Sequence, residues 1–195
     1  MRIAVIGTGN IGGTLGRALA HAGNEVSFGS RQPDSDGAPG DAFERSVPVA
    51  EALEGADVVL LAIPAAAVAE FLEEHAGRLA GVLVVDATNN IRAEVANAAA
   101  AIKQAAPEAR YARAFNTLGW ENFAEPSFDG VAADLFFSCA AADRAIVEGL
   151  ISDVGLRPAF LGEGAQDMVD SLLPIWFTLA QQRGHRRIAL RILEA

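Results

Sequence analysis

The sequence predicts an α/β protein whose core is a doubly wound, mainly parallel sheet. Apolar runs of strand length alternate with Ala-rich stretches of helical periodicity along most of the chain. This is the pattern of parallel strands that helices cover on both faces. A glycine-rich turn separates the first strand from the first helix. The chain has 195 residues, of which 51% are hydrophobic, so it can bury one sizeable core and is short for two.

The strands are predicted at short runs that are rich in Val, Ile, Leu and Phe and are flanked by turn-forming residues. They are residues 3–6, 25–29, 47–49, 58–63, 82–86, 111–115, 135–138 and 158–161. Between them, apolar residues recur at helical spacing. A first helix therefore follows the glycine-rich turn and ends at Gly23 and Asn24. Further helices are predicted at residues 65–75, 93–104, 142–154 and 166–182, with a last short helix after Gly184.

Prolines and glycines mark the boundaries of these elements. Pro64 directly precedes the second predicted helix, where its fixed φ suits a first turn. Pro174 lies inside the helix predicted at 166–182, so that helix must be kinked or begin later. Residues 32–41 hold two prolines, two glycines and three aspartates, which predicts an exposed loop.

Charge and hydropathy bound the partners of the chain. The formal net charge is -10 at pH 7, and an acidic chain repels nucleic acid and anionic lipid, so we expect neither as a partner. The uncharged stretch between Asp57 and Glu70 falls well short of the ~20 residues that cross a bilayer. The first apolar run is too short for a signal peptide. We therefore expect a cytoplasmic protein, in which the single cysteine, Cys139, is a small apolar strand residue.

The glycine-rich turn has the spacing G-x-G-x-x-G, in residues Gly7, Thr8, Gly9, Asn10, Ile11 and Gly12. The alternative is a glycine turn that binds nothing. The preceding apolar strand and the following amphipathic helix favour a dinucleotide site. In such a site Gly7 permits the tight turn, Gly9 lets the backbone approach a pyrophosphate, and Gly12 lets the helix pack on the strand. The helix N-terminus offers N–H groups and its positive dipole end to the phosphates.

The end of the second strand predicts which dinucleotide binds. An enzyme that uses NAD has an acidic residue there for the ribose hydroxyls, whereas this chain reads Gly29-Ser30-Arg31. Ser30 can donate a hydrogen bond and Arg31 can pair with a 2'-phosphate, which predicts NADP(H). The alternative is that Arg31 is a solvated loop residue near Asp34 and Asp36. Residues 1–195 are thus expected to form a single NADP-binding Rossmann domain, with residues 164–195 as a helical C-terminal extension.

Polar residues at other strand ends are further candidates, because ligands of open parallel sheets bind at the carboxyl edge. Asn89 and Asn116 are predicted to bind the cofactor, whereas Asn90 and Thr117 are as well explained by turn chemistry. Trp120 and Phe123 are placed in a loop where an aromatic ring can wall a flat cofactor. The remaining candidates are interpreted structurally: Trp176 and Phe177 as core or subunit packing, and His21, His75 and His185 as surface or helix-end residues.

Several motifs in register make the chain resemble the NADPH-dependent coenzyme F420 reductases. Besides the glycine turn and Ser30-Arg31, they are Ala62-Ile63-Pro64, the run from Asp86 to Asn90, the run from Ala114 to Thr117, and the segment from Met168 to Pro174. The resemblance implies that Ala62, Ile63 and Pro64 contact the nucleotide. It also implies direct hydride transfer between the nicotinamide and the deazaflavin F420, with no catalytic residue and no metal ligand in the protein.

The chain departs from that family near the second cofactor. Gln166 and Asp167 stand where the family usually has Ser-Arg, Asn90 where it has Pro, and Arg113 where it has Lys. NADP(H) is therefore expected, and the acceptor stays open between F420 or a flavin, the first candidate, and a small imine or carbonyl substrate. For such a substrate Asp167 or Asp170 would donate a proton. A non-catalytic NADP(H)-sensing protein is the other alternative.

Two further expectations concern the C-terminal region. The apolar stretch 172–179 exceeds what one small domain needs, so we expect a homodimer. Arg183, Arg186, Arg187 and Arg191 form a basic cluster. They are expected to pair with local acids, and the alternative is that they bind the anionic tail of a cofactor.

Overall fold

The computed structural model describes residues 1–33 and 46–193. Most of the predicted loop 32–41, including Asp34 and Asp36, lies outside these residues. The strands in chain order are β1 Arg2–Ile6, β2 Glu25–Ser30, β3 Val47–Pro48, β4 Val58–Leu61, β5 Leu83–Asp86, β6 Arg110–Arg113, β7 Ser127–Phe128, β8 Val131–Ala132, β9 Asp134–Cys139 and β10 Arg157–Phe160.

Eight of these strands form the central sheet, in the order β10-β9-β6-β5-β4-β1-β2-β3. All neighbours pair in parallel except β6 and β9, which run antiparallel. The predicted class, a mainly parallel Rossmann-type sheet, is confirmed. The chain leaves β1 toward β2 and β3 on one side and then crosses over to β4 on the other, so the strand order reverses between β1 and β4.

The helices are α1 Asn10–His21, α2 Val49–Ala52, α3 Val68–His75, α4 Ala99–Ala105, α5 Trp120–Ala124, α6 Arg144–Asp153, α7 Gln166–Asp170 and α8 Leu172–Arg183. Within the described residues, three short 3-10 segments accompany them, at Ala65–Ala67, Ala76–Arg78 and Ala141–Asp143. In the part of the chain that the structure describes, no helix is long and apolar enough to cross a membrane.

The two faces of the sheet pack into two separate hydrophobic clusters. Along β1, Ile3 and Val5 point into the cluster that holds α1 and α6. Ala4 and Ile6 point into the cluster that holds α2, α3 and α4. Alternate side chains of a strand lie on opposite faces, so a strand buried on both faces has the continuous apolar run that predicted it.

Two predictions in the middle of the chain are wrong. The helix predicted at 93–104 begins only at Ala99, because the buried Asp86 carboxylate accepts the Ala98 N–H at 2.8 Å and the Asn97 side chain accepts the Ala99 N–H at 3.1 Å. Such capping contacts fix a helix start. The loop predicted around Trp120 is helix α5, and the hairpin of β7 and β8 was not predicted. Asp129 and Gly130 in its turn both have positive φ, as tight hairpin turns require.

The C-terminal region is helical only as far as Arg183. The predicted helix 166–182 is two helices that break at Ser171, and Pro174 is the third residue of α8. The N–H groups of the first turn have no partner within a helix, so proline's missing N–H costs no hydrogen bond at this position. The prediction that the helix begins later is therefore correct. The predicted helix after Gly184 is wrong. The chain turns at Gly184, whose φ is +69°, and continues without helix through residue 193.

Polar groups of neighbouring elements bind this last segment to the sheet. The Leu190 carbonyl accepts the Asp134 N–H at 3.0 Å, and the Ile188 carbonyl accepts the Trp176 indole N–H at 2.7 Å. The buried Asp134 carboxylate accepts the Ile192 N–H at 2.6 Å and Arg157 Nη2 at 2.8 Å. These backbone groups are satisfied by tertiary contacts, and local sequence therefore gave no sign of the segment's path.

The contribution of Asp134 to the stability of the protein should depend on pH. Burial alone raises the pKa of Asp134, but hydrogen bonds from Arg157 and the Ile192 N–H, with the charges of Arg157 and Arg191, hold the pKa below its ordinary value. A carboxylate with a lowered folded-state pKa stabilises the protein above its unfolded pKa of about 3.9, and this stability is lost as the pH falls through the folded-state pKa.

We predict that Asp134→Asn lowers the free energy of unfolding at pH 7 by about 1 to 3 kcal/mol, because charge-assisted hydrogen bonds are lost. The difference from the native protein should shrink below about pH 4. Urea unfolding at pH 7 and pH 3 measures both values. Asp129→Asn, at the exposed hairpin turn, is the matched control because Asn also adopts the left-handed conformation. An equal deficit at both pH values would contradict the assignment.

Candidate nucleotide-binding site

A cleft of about 780 Å³ lies at the carboxyl ends of β1, β2, β4 and β5. It therefore opens where the strand order reverses, which is the ligand position of open α/β sheets. Its volume is within the ~300 to 1,000 Å³ of small-molecule and cofactor sites. Eleven of the thirteen residues predicted to bind the cofactor line it: Gly7, Thr8, Gly9, Asn10, Ile11, Ser30, Arg31, Ala62, Ile63, Pro64 and Asn89.

The three motif glycines have different surroundings. Gly7 has φ +106°, and a Cβ there would lie 2.5 Å from the Ala62 carbonyl oxygen. A Cβ at Gly12 would overlap the carbonyl oxygen of Gly7, so Gly12 packs the helix on the turn and does not line the cleft. A Cβ at Gly9 meets nothing within 4 Å. The space above Gly9 is therefore open toward the cleft, as close approach of a ligand requires.

The N-terminus of α1 borders the cleft through Gly9, Asn10 and Ile11. Gly9 is the N-cap in extended conformation, no side chain caps the helix, and its first turn holds no acidic residue. The backbone N–H groups and the positive dipole end of α1 are thus not neutralised by an acidic side chain of that turn. This end of the cleft suits an anion.

Ser30 and Arg31 lie at the end of β2, on the rim of the cleft. The Ser30 hydroxyl accepts the Gln32 N–H at 3.0 Å. Arg31 Nη1 lies 3.1 Å from Glu70 Oε2, and the two side chains are 71% and 58% exposed. The Arg31 guanidinium is therefore directed across the cleft toward α3.

The face of α3 is the part of the site that sequence reasoning missed. Glu70, Phe71, Glu74 and His75 all line the cleft. The Phe71 and His75 rings lie 5.5 Å apart. His75 is the last residue of α3, as its interpretation as a helix-end residue implied, but it also lines this cavity. Glu70 and Glu74, like Phe71 and His75, are four residues apart on the helix that follows β4. This spacing places each pair on one helix face and could have indicated the site from the sequence.

The opposite end of the cleft is formed by residues after β4 and β5, among them Pro64, Thr88 and Asn89. The Asn89 amide donates to the Asn116 carbonyl at 2.8 Å, and its oxygen accepts Arg113 Nη2 at 2.9 Å. Asn116 itself does not line the cleft. It is 1% exposed, and its amide donates to Asp170 at 2.9 Å. Asn116 thus supports the wall of the site through Asn89. Its contact with the nucleotide stays a prediction.

A buried arginine organises that wall. Arg113, with no exposed side-chain surface, donates Nη1 to the carbonyls of Asp86 and Thr88 at 3.0 and 2.6 Å. Its guanidinium lies 3.3 Å from the Asp86 carboxylate and 2.6 Å from that of Asp170. Because it bonds two carbonyls at the end of β5 and a carboxylate of α7 at once, Arg113 connects the end of the sheet to the C-terminal helices.

The buried carboxylate of Asp86 accepts the remaining hydrogen bonds of this network. Besides Arg113, its oxygens accept the Thr88 N–H and hydroxyl at 2.9 and 2.7 Å, the Ala98 N–H at 2.8 Å and the Tyr111 hydroxyl at 2.8 Å. Burial, together with the adjacent Asp86 carboxylate, raises the pKa of Tyr111 far above its ordinary value. Tyr111 is therefore a neutral donor to Asp86 near neutral pH.

Other candidate groups have structural positions. Trp120 is 38% exposed and Phe123 is buried, and neither lines the cleft, so the predicted aromatic wall is not formed there. Burial raises the pKa of Cys139 to about 11, which keeps this thiol protonated and inert. In residues 1–33 and 46–193, no group of His, Cys, Asp and Glu is arranged to hold a metal ion.

Three of the four arginines in the C-terminal cluster, Arg186, Arg187 and Arg191, pair with local groups, as expected. Arg186 Nε lies 2.8 Å from Glu121 Oε1, and Arg187 Nη2 lies 3.1 Å from Glu125 Oε2. Arg191 donates to the Ala132 carbonyl. These contacts hold the last segment on α5 and the hairpin, and they leave the alternative of an anionic cofactor tail without support.

The sheet order and the cleft at its switch point define an α/β protein of the Rossmann class. Residues 2–90 match the model of a family described as NADP oxidoreductase, coenzyme F420-dependent. The predicted resemblance is therefore confirmed over that segment, which contains the glycine turn, Arg31 and most of the cleft. The predicted class, an NADP-dependent oxidoreductase, agrees with this match. No protein of curated function matches the sequence significantly.

Solved structures resemble the whole chain. A protein from Arthrobacter sp. FB24, provisionally assigned as an F420-dependent NADP-reductase, is 26% identical with a TM-score of 0.82, and each chain covers 100% of the other. A hypothetical protein from Sinorhizobium meliloti is 28% identical with a TM-score of 0.72, over 100% of this chain and 96% of that one. An imine reductase from Bacillus cereus, 19% identical, has a TM-score of 0.68 over 94% of this chain and 63% of its own, and shares the fold.

We predict that Gly9→Ala separates binding from folding. Gly9 has φ -70° and ψ -171°, which alanine adopts without strain, and its new methyl group meets no protein atom. The thermal midpoint should stay within a few degrees of native. Affinity for NADP+ should fall at least about tenfold, because the methyl group occupies the space that a pyrophosphate needs.

Gly12→Ala is the matched comparison, since the same methyl group there collides with the Gly7 carbonyl. It should lower the thermal midpoint markedly. Differential scanning fluorimetry and calorimetric titration with NADP+ measure both effects. Native affinity in the Gly9→Ala protein would contradict the assignment of this turn to the phosphates.

Proposed function

We propose that this chain transfers hydride between NADP(H) and a flavin-like cofactor, with coenzyme F420 as the first candidate. The observation that carries the proposal is the continuous cleft from Arg31, past the uncapped N-terminus of α1, to Asn89. A cation, a helix N-terminus and a polar strand edge follow each other in the order of the 2'-phosphate, the pyrophosphate and the nicotinamide ribose. Residues 2–90, which match the oxidoreductase family, supply all three.

The residues of the cleft fit NADP(H) in chemical type. Ser30 and Arg31 offer a hydroxyl and a guanidinium to the 2'-phosphate. The backbone from Thr8 to Ile11 offers N–H groups to the pyrophosphate. Ala62, Ile63 and Pro64 form an apolar wall on one side of the proposed nicotinamide end, and Thr88 and Asn89 form a polar wall on the other. All of these groups line one cavity.

NADPH, when bound, supplies a hydride, that is two electrons and one proton, and the acceptor takes its second proton from solvent. The chain's own task is to hold two rings and to exclude water between them. Positioning of this kind can supply about 7 to 11 kcal/mol of a barrier. Arg113 and Asp86 fix Thr88 and Asn89 through short hydrogen bonds, so the polar wall is rigid before any ligand binds.

The structure disfavours a protein acid for imine or carbonyl reduction. Neither Asp167 nor Asp170 lines the cleft. Both oxygens of Asp170 accept hydrogen bonds, from Arg113, Asn116 and Asn97. Asp167 accepts from Asn97 at 3.0 Å. Since neither carboxylate lies at the cleft and both accept hydrogen bonds from neighbouring side chains, neither is placed to reach a substrate there.

We predict that purified protein mixed with NADPH bleaches F420, with a slower reaction for FMN, and that NADH reacts more slowly than NADPH. Arg31→Ala should raise the KM for NADPH about tenfold, which is the weaker end of the range for a charge-assisted contact because Arg31 is exposed. Stopped-flow absorbance of F420 and of NADPH measures these rates. Gly9→Ala is the binding-deficient control.

Three outcomes distinguish the candidate functions. Oxidation of NADPH by cyclic imines or carbonyl compounds but not by F420 or flavins would replace the proposed acceptor. Tight binding of NADPH without turnover of any acceptor would favour a sensing protein. An unchanged KM for NADPH in Arg31→Ala would remove the assignment of the 2'-phosphate to this side chain.

We further propose that the protein is a cytoplasmic homodimer. Helices α7 and α8 expose Met168, Ile175 and Phe177, with 60%, 49% and 40% of their surfaces accessible, and large exposed apolar side chains favour association. Sedimentation velocity should show a dimer in the native protein. Phe177→Glu should shift it to monomer without changing the circular dichroism spectrum. A native monomer would contradict the proposal.

A further inference from the structure

We propose that Glu70 sets the nucleotide specificity of the cleft by competing with the adenosine 2'-phosphate for Arg31. This inference rests on the proposed function, because it concerns the site at which NADP(H) is proposed to bind. In this proposal Arg31 exchanges one anionic partner for another. In the free protein Arg31 pairs with Glu70, and a 2'-phosphate must displace that carboxylate.

The geometry places the two side chains on facing walls of the same cleft. Arg31 follows β2 and Glu70 lies in the first turn of α3. Nη1 and Oε2 are 3.1 Å apart, and both residues line the cavity. The contact is a single hydrogen-bonded pair between exposed groups, and such pairs have small free energies. A phosphate that brings more charge and more acceptor atoms can therefore replace Glu70 on Arg31.

The charge around this position opposes a phosphate. Glu74, one helical turn after Glu70, lines the same cavity. A 2'-phosphate bound to Arg31 would carry close to two negative charges. Among the described residues that line the cavity, it would face the carboxylates of Glu70 and Glu74 with the guanidinium of Arg31. Since these groups are exposed, the repulsion is screened by salt. The preference for NADP(H) over NAD(H) is therefore smaller than Ser30 and Arg31 alone imply, and it depends on ionic strength.

Glu70 also supplies what the end of β2 lacks. In enzymes that use NAD, an acidic side chain at that strand end accepts hydrogen bonds from the ribose hydroxyls. This chain has Ser30 and Arg31 there. A carboxylate that reaches the same position from α3 can accept a hydrogen bond from an unphosphorylated ribose. Glu70 therefore favours NAD(H) over NADP(H) at the 2' position of the adenosine ribose.

The test measures binding of the adenosine half alone. Calorimetric titrations with 2',5'-ADP and with 5'-ADP are made on the native protein, Glu70→Gln and Glu73→Gln, at low and high salt. Glu73 lies on the same helix and is exposed, and it does not line the cleft, so Glu73→Gln removes an equal charge at a distance from Arg31. Glu70→Asp keeps the charge but withdraws it by one methylene group.

We expect Glu70→Gln to bind 2',5'-ADP about three- to tenfold more tightly than the native protein, with a smaller gain at high salt. Glu70→Asp should show an intermediate gain, and Glu73→Gln should match the native protein. Affinity for 5'-ADP should not rise in Glu70→Gln. In an Arg31→Ala background the gain from Glu70→Gln should fall, because the cation for which the groups compete is gone.

Equal gains in Glu70→Gln and Glu73→Gln would overturn the proposal, because they would show only the effect of net charge. A loss of 2',5'-ADP affinity in Glu70→Gln would also overturn it, because the ion pair would then orient Arg31 for the phosphate. These outcomes are independent of turnover. If the expected affinities are found while no acceptor is reduced, the hydride-transfer function fails and the specificity role of Glu70 stands.

Discussion

The buried guanidinium of Arg113 is the interaction on which the carboxyl edge of the sheet depends. It contacts two carboxylates, Asp86 and Asp170, and two backbone carbonyls, with no exposed side-chain surface. Removing one partner of such a buried group costs about 3 to 5 kcal/mol, because the other charge is left uncompensated. Arg113 is the last residue of β6, Asp86 the last of β5, and Asp170 the last of α7. One side chain thereby fixes how two strands and the C-terminal helices meet.

The backbone just after Arg113 is held in an unusual conformation by the same packing. Phe115 has φ +61°, which is uncommon for a bulky residue. Its ring is buried and lies edge-on to Phe123 at 5.9 Å between centroids. The turn at Phe115 leads directly into Asn116, whose carbonyl accepts Asn89 and whose amide donates to Asp170. The strained turn and the arginine network therefore support the same wall of the cleft.

The parts of the site that sequence predicted are those in which local chemistry decides the structure. The turn from Gly7 to Gly12 follows from steric limits at each glycine, and Ser30 and Arg31 follow from the end of a strand that its apolar pattern defines. The α3 face was missed because its four lining residues become neighbours of Arg31 only when β4 pairs with β1. The start of α4 was misplaced because Asp86, twelve residues before Ala98, caps it. The path after Gly184 depends on Asp134 and Trp176, which are distant in sequence.

The two ends of the cleft differ in how strongly their polar groups are held, and this difference separates specificity from chemistry. At the Asn89 end, each hydrogen bond belongs to a buried network in which a change at one residue disturbs several others. At the Arg31 end, the main contact is one solvent-exposed ion pair, which salt screens and which a substitution alters by a small free energy. Nucleotide preference can therefore change through Glu70 or Arg31 while Thr88 and Asn89 keep their positions. The cleft thus combines a rigid polar wall at Asn89 with an adjustable ion pair at Arg31.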